Sequence, residues 1–384
     1  MRPHISVILD KALADETLSA QEGYQLVHCT DAEVPALLAT AGVLRDQHKG
    51  RTVTYSRKVF LPITNLCRDR CSYCTFRKDP RDPDAWTMTP DEIHEWVNRG
   101  RVQGCKEALM CLGDKPEKAY RQYRATLAGF GHTTTTEYVY RACEIALSYG
   151  LLPHTNAGVL SYDEMKMLKD VNVSLGLMLE NISPRLRQKG MAHFSAPDKE
   201  PAVRVRMLRE AGELEIPFTT GILIGIGETR EERVDSLIAI REIHRAYGHI
   251  QEVIVQNFRA KPGTRMAGFP EPDDLEMAKT VAAARLLLGG QMNVQAPPNL
   301  SPDDHRLLLR AGINDWGGIS PVTKDYVNPE AAWPHLDLLA QTCREEGFTL
   351  RERLAIYAEY IDRPGFLLPA LRPRTQELQA QVIA

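Results

Sequence analysis

The chain lacks a basic block: 47 lysines and arginines face 50 acidic residues, for a net charge of −3. A nucleic-acid partner therefore has little electrostatic support. No apolar run approaches the roughly 20 residues that span a bilayer. The opening Met1-Arg2-Pro3-His4-Ile5 has no long apolar core of the signal-peptide kind. Together these absences lead us to expect a cytoplasmic protein with no membrane partner. There is no internal repeat and no low-complexity segment. The composition, 43% hydrophobic and 25% charged over 384 residues, is that of a soluble globular protein with one large domain or two ordinary ones. The eight cysteines do not sit in the small secreted frame that disulfide scaffolds use. Cys29, Cys105, Cys111, Cys143 and Cys343 are scattered among apolar residues and read as small buried hydrophobes.

What the chain does have is Cys67-Arg-Asp-Arg-Cys71-Ser-Tyr-Cys74, a C-x3-C-x2-C triad that follows the apolar run Val59 to Leu66. Three thiolates on a short loop can wrap one face of a cubane cluster and leave the fourth iron without a protein ligand. Ferredoxins use four cysteines at other spacings. The alternative is a zinc-stabilised scaffold completed by a distant His or Cys, but zinc sites usually come as two C-x2-C-type pairs and no second pair is present.

With Tyr73 at the aromatic position, the triad resembles the C-x3-C-x-aromatic-C signature of the radical S-adenosylmethionine (SAM) superfamily. The resemblance implies a [4Fe-4S] cluster held by Cys67, Cys71 and Cys74, whose open iron binds the amino and carboxylate groups of SAM. It also implies an external one-electron reductant, cleavage of SAM, and a 5′-deoxyadenosyl radical that takes a hydrogen atom from the substrate. Cofactor chemistry of this kind asks the protein mainly to bind, orient and exclude.

Around this triad the chain alternates β-rich runs with helical stretches. Strands are expected to begin near Val59, Lys106, Leu152, Val173, Phe218, Glu252, Met292 and Ile313. Such alternation argues for βαβ units, and eight of them for a closed (β/α)8 TIM-type barrel; a doubly wound open sheet is the alternative. Helix starts are expected at Thr89-Pro90, Ser161, Thr229 and Ser301-Pro302-Asp303-Asp304, and stops at Gly150, Gly212 and Gly248. We expect a helical extension over residues 1–58, the barrel over 59–348 with an eighth helix over Asn328–Glu346, and a C-terminal helix (Arg351–Tyr360) and tail over 349–384.

Several residues at the expected barrel mouth are candidates for the SAM site. The superfamily often has Gly-Gly-Glu after the second strand; Leu112-Gly113-Asp114 stands here, so Gly113 and Asp114 carry over. Glu180 follows an apolar strand, where a carboxylate needs a partner such as ribose hydroxyls or Arg185 or Arg187. Gly221-Ile222-Leu223-Ile224-Gly225-Ile226-Gly227-Glu228 fits a strand motif of the superfamily near adenine, and glycines in a strand imply a close neighbour. It lacks the Lys-Ser/Thr of a P-loop. Arg204 and Arg206 lie on the preceding helix; the resemblance makes one of them, Arg204 first, a candidate for the SAM carboxylate, and the alternative is that both are solvated. Catalytic candidates are His154, Asn156 and Asp114, with 257–264 as further pocket lining; 129–132 is a lid or a plain loop.

Five segments, 64–76, 112–117, 217–229, 256–264 and 313–323, resemble more narrowly the cyclising-subunit family of 7,8-didemethyl-8-hydroxy-5-deazariboflavin synthases. That resemblance implies a radical SAM lyase that converts 5-amino-5-(4-hydroxybenzyl)-6-(D-ribitylimino)-5,6-dihydrouracil to the deazaflavin and releases ammonia. A second synthase subunit would make this adduct from tyrosine and a ribityl-diaminouracil. One triad and one barrel's worth of strands match the cyclising half alone. That partner subunit and a menaquinone-pathway relative are the alternatives within the class.

Overall fold

The computed structural model describes residues 2–302 and 304–383. Eight parallel strands close into a barrel: β1 (Thr52–Pro62), β2 (Glu107–Cys111), β3 (Leu152–Asn156), β4 (Ser174–Gly176), β5 (Phe218–Ile224), β6 (Ile250–Asn257), β7 (Val294–Gln295) and β8 (Asp315–Ile319). Each pairs with the next, and β1 closes the ring by pairing with both β8 and β2. Each expected strand start lands inside or just before one of these, so the open-sheet alternative fails. Helices follow the strands, because parallel neighbours need a crossover that packs back on the sheet.

Thr89, Ser161 and Thr229 each cap a helix through a reciprocal box with Glu92, Glu164 and Glu232. The fourth start differs. Asp303 lies outside the described residues, and the helix His305–Arg310 is capped by Asp304, which accepts from the Leu307 N–H. Gly248 ends its helix in the left-handed conformation. Gly212 does not end one; it lies inside Pro201–Glu213 with the Tyr247 side chain where a Cβ would be.

Three boundaries move. The N-terminal segment forms α1 (Pro3–Leu13), α2 (Ala20–Val27) and α3 (Val34–Lys49); α2 and α3 pack on the outer helices Arg230–Tyr247 and Asp274–Leu288, and α1 packs on α2 and α3. Residues 52–58, read with that extension, are already strand. The eighth helix is only Leu336–Glu345; Pro334 disfavours a helical residue before it, and 325–333 instead crosses the barrel mouth.

The third change is at the C-terminal end, where the expected helix Arg351–Tyr360 is replaced by β9 (Thr349–Glu352) and a crossing segment, and only the short turn Ala358–Ile361 is helical. β9 pairs in parallel with the first half of β1. Four residues carry a period of two as readily as a helical one, and Arg353 is drawn inward by opposite charge. Its guanidinium meets Asp315 at 2.6 and 2.9 Å and Glu252 at 2.7 Å. The Ala355 carbonyl accepts from Ser174 at 2.7 Å and from Gln251 at 3.1 Å, and Tyr357 donates to Glu252 at 3.0 Å. Residues 353–357 thus floor the end of the barrel opposite the cysteines.

Removing one partner of a buried ion pair typically costs about 3–5 kcal/mol, since the other charge stays buried. Arg353→Met should therefore lower the unfolding free energy measured by denaturant titration by an amount of that order, and Arg353→Lys by less. Equal stability of Arg353→Met and the parent would show that the floor carries no such load.

Candidate functional site

β1 stops at Pro62, and Asn65 folds the loop that follows. Its Nδ2 donates to Asp84 O at 2.8 Å and its Oδ1 accepts from the Trp86 N–H at 2.7 Å. The cysteine segment is then pinned by its backbone. The N–H groups of Arg68, Arg70 and Ser72 donate to Asp114 O, Ser195 O and Ala192 O at 3.1, 2.9 and 2.9 Å. In consequence Cys67, Cys71 and Cys74 line one cavity of about 340 Å3. It lies at the C-terminal ends of the strands, where (β/α)8 enzymes place their chemistry.

Two features favour a sulfur-bridged cluster at these thiols. A Cβ on Gly113 would lie 2.4 Å from Cys67 Cβ and 2.6 Å from its Sγ, so only glycine lets the β2 loop reach the cysteine. The Asp114 N–H donates to Cys67 Sγ at 3.1 Å, a contact that strengthens once the sulfur is a thiolate. Burial pushes the Cys67 thiol up to about 12, so a bound metal must supply the pull that removes its proton. Among the described residues no group of three or more His, Cys, Asp or Glu could hold a single metal ion, whereas a structural zinc needs four ligands closed on one point. Soft thiols fanned around a shared cavity fit an iron–sulfur cluster.

Asp114 does more than line this cavity. Its Oδ1 accepts from the Val159 N–H at 2.6 Å and its Oδ2 from Arg68 Nε at 2.9 Å. Arg68 also pairs with Asp198. Burial and the neighbouring Asp198 hold the Asp114 carboxyl above its usual range, at about 8. Burial works against Asp198 too, but its hydrogen bonds with Asp114 and Arg68 hold it below that range.

Glu180 adopts φ +61°, a left-handed conformation that non-glycine residues seldom take. The turn aims its carboxylate at the cysteines. Its partner is neither Arg185, which pairs with Glu232, nor Arg187, which pairs with Glu200. Lys199 holds one oxygen. Tyr73, from within the triad, donates to the other at 2.6 Å, and His193 lies 3.0 Å from it. Burial alone would raise the Glu180 carboxyl, but Lys199 and His193 hold it well below its usual range. Arg204 is buried, giving Nε to Met178 O at 3.0 Å and Nη1 to Asp198 O at 3.1 Å.

Tyr73, Gly113, Asp114, Glu180 and Arg204 thus share one cavity with the triad. Gly225 and Gly227 lie outside its wall. Gly225 is at φ +90° against Pro272 and Phe258, Gly227 is at φ +99°, and Glu228 turns back to accept the N–H of Gly225 and Ile226, both at 2.8 Å. Leu223 is the residue of that motif that reaches the cavity. Asn156, Asn257, Arg259 and Lys261 also line it, whereas 129–132 does not. His154 sits deeper. Ser174 Oγ donates to Ala355 O, so His154 Nδ1–H donates to Ser174 at 2.6 Å; burial drops the ring to about 4, leaving it neutral.

Sequence reasoning missed Lys199 and the 325–328 loop, both in the cavity wall, and Asp198, which pairs with Arg68 behind it. Lys199 follows Pro197-Asp198 in a short 3-10 turn, and nothing in its local pattern separates it from a surface lysine.

Residues 61–239 match the family model for the radical SAM superfamily. The 7,8-didemethyl-8-hydroxy-5-deazariboflavin synthase of Methanopyrus kandleri is 50% identical over 81% of this chain and 93% of its own length. An FO synthase of Mycobacterium tuberculosis is 49% identical over 92% of this chain, which spans only 43% of that longer protein. Among solved structures, methylornithine synthase superposes with a TM-score of 0.70 at 18% identity, covering 89% of this chain and 97% of that one, a likeness of fold. The chain belongs to the radical SAM superfamily and, within it, to the family of 7,8-didemethyl-8-hydroxy-5-deazariboflavin synthases.

Proposed function

We propose that this chain closes the central ring of 7,8-didemethyl-8-hydroxy-5-deazariboflavin, releasing ammonia from 5-amino-5-(4-hydroxybenzyl)-6-(D-ribitylimino)-5,6-dihydrouracil. The observation that carries the reading is the 50% identity over 93% of a relative named for the finished deazaflavin. A second radical SAM subunit would supply the adduct. The longer FO synthases, of which this chain matches 43%, have room for both units.

When bound, a [4Fe-4S] cluster and SAM would supply a carbon radical able to take hydrogen from an unactivated position, which polar side chains cannot do. The chain's own residues bind and orient. Cys67, Cys71 and Cys74 would hold the cluster. Gly113 and Asp114 would bring backbone groups to the SAM amino group, with Glu180 and Tyr73 facing the nucleoside and Arg204 or Lys199 its carboxylate. Leu109, Leu112, Leu177, Leu223 and Phe258 give the cavity its apolar wall, which limits water where a radical must survive. Asn257 presents an amide to the uracil, and His154, neutral and facing the barrel interior, is the candidate to accept a proton.

The reconstituted enzyme, given the adduct, SAM and dithionite without oxygen, should form fluorescent deazaflavin and one equivalent of ammonia. Hydroxybenzyl transfer from tyrosine to the diaminouracil, with no ring closure, would instead assign it to the partner's reaction. Cys71→Ala should abolish both cluster absorption and product. Gly113→Ala should keep native circular dichroism yet take up several-fold less iron on reconstitution; full uptake would show that the Cys67 contact is dispensable.

A further inference from the structure

Closed (β/α)8 barrels are ordinarily filled by layers of branched apolar side chains. This one is not. Beneath the thiol cavity lies a second chamber of about 190 Å3 inside the barrel, and the two share Phe60, Leu109, Asn156, Met178 and Gln256 as walls. Arg353 and Ala355 of the crossing segment line its far end.

Its polar lining is unusual in what is left unpaired. Among the described residues the side-chain amides of Asn156, Gln256 and Gln295 make no hydrogen bond to any protein group. Asn299, 3% exposed, gives its Nδ2 to Asp325 at 3.0 Å and to Ala331 O at 3.3 Å, while its Oδ1 accepts nothing. Gln295 and Asn299 are buried, Asn156 and Gln256 half-buried; three unpaired amides and the Asn299 oxygen facing one lumen suit a ligand rich in hydrogen-bonding groups. The fold also makes room for one of them: a Cβ on Gly317 would lie 2.0 Å from Gln295 Nε2.

The charged groups of the chamber are, by contrast, already matched. Lys58 lies 2.7 Å from Glu107, Arg353 is spent on Asp315 and Glu252, and His154 is neutral. Asp325 accepts from Asn299, Asn328 and two backbone N–H groups and, among the described residues, carries no cation. Among the described residues the lumen offers neutral donors and acceptors, no free cation and a standing carboxylate.

We propose that this lower chamber binds a neutral polyhydroxylated chain of the substrate through Asn156, Gln256, Gln295 and Asn299, and rejects its phosphate ester. The inference rests on the deazaflavin reading, in which that chain is the ribityl group. A primary amide has two donors and two acceptor sites and so matches successive hydroxyls, each of which both donates and accepts. With the polyol pointing to the floor, the ring system stands at the junction of the two chambers, beneath the thiols.

The test is equilibrium binding to the reconstituted holoenzyme, without turnover, read by deazaflavin fluorescence. Three compounds are compared: the ribityl deazaflavin, the same ring with N-methyl in place of ribityl, and the ribityl 5′-phosphate. We expect the ribityl compound to bind at least tenfold tighter than the N-methyl ring and the phosphate to gain nothing over it. Gln295→Leu and, independently, Gln256→Leu should each cut the ribityl advantage about tenfold while leaving N-methyl binding and iron content within twofold. Equal loss for both compounds would place the amides on the ring, not the chain, and overturn the proposal. So would tight binding of the phosphate, or a parent enzyme indifferent to the chain. If the parent binds none of the three, the deazaflavin reading itself falls, an outcome distinct from the others.

Discussion

Asp114 is the point at which three loops become one site. Its N–H touches the Cys67 sulfur, its carbonyl takes the Arg68 N–H, and its carboxylate joins Arg68 to the N–H of Val159. The loops after β1, β2 and β3 are thereby locked at hydrogen-bond distances. Loops are ordinarily the most mobile part of such a barrel, yet cluster ligands must be held within a fraction of an ångström. A carboxyl whose ionisation is opposed by burial and by Asp198, with Arg68 between the two, costs some stability. What it secures is a cysteine segment held from outside as well as by its own Arg68 and Tyr73. The Glu180–Lys199–Tyr73 network does the same on the opposite wall, tying the residue before Cys74 to the turn after β4.

The two chambers divide the chemistry. The upper one is walled by leucines and Phe258 and carries the thiols; the lower one carries amides and matched ion pairs. A reaction that generates a reactive carbon species needs the first environment, and recognition of a hydroxylated substrate needs the second. Stacking them along the barrel axis lets one ligand occupy both. Alternation along the strands produces this: every second residue of β3 and β6 faces inward, His154 and Asn156 on one, Glu252, Ile254 and Gln256 on the other.

Much of this was legible in the sequence because the signals are local. The triad, the caps at Thr89, Ser161 and Thr229, and the strand runs each lie within a few residues, and the caps and strands appear at or near the expected places, β1 beginning earlier than read. Gly113 and Glu180 could be singled out because an unusual residue stood directly after a strand. What stayed hidden depends on distant segments. Lys199 becomes a site residue only because Glu180 turns toward it through a positive φ. Gly225 and Gly227 looked like room for a ligand but serve a left-handed turn closed by Glu228. Arg353, read as helical, leaves that pattern for Asp315 and Glu252, residues 38 and 101 positions earlier. No window of the sequence holds both ends of such a contact.

The floor has a temporal consequence. β9 is the last strand in the chain and it pairs with β1, the first, and the arginine beside it neutralises two carboxylates on β6 and β8. Until residues 349–357 leave the ribosome, a nascent barrel has an open lower end with Glu252 and Asp315 uncompensated inside it. Contacts of such sequence separation form late and slowly. The chamber is therefore sealed only after every other strand has been made, and synthesis that stalls before β9 leaves a sieve where the finished protein has a cup.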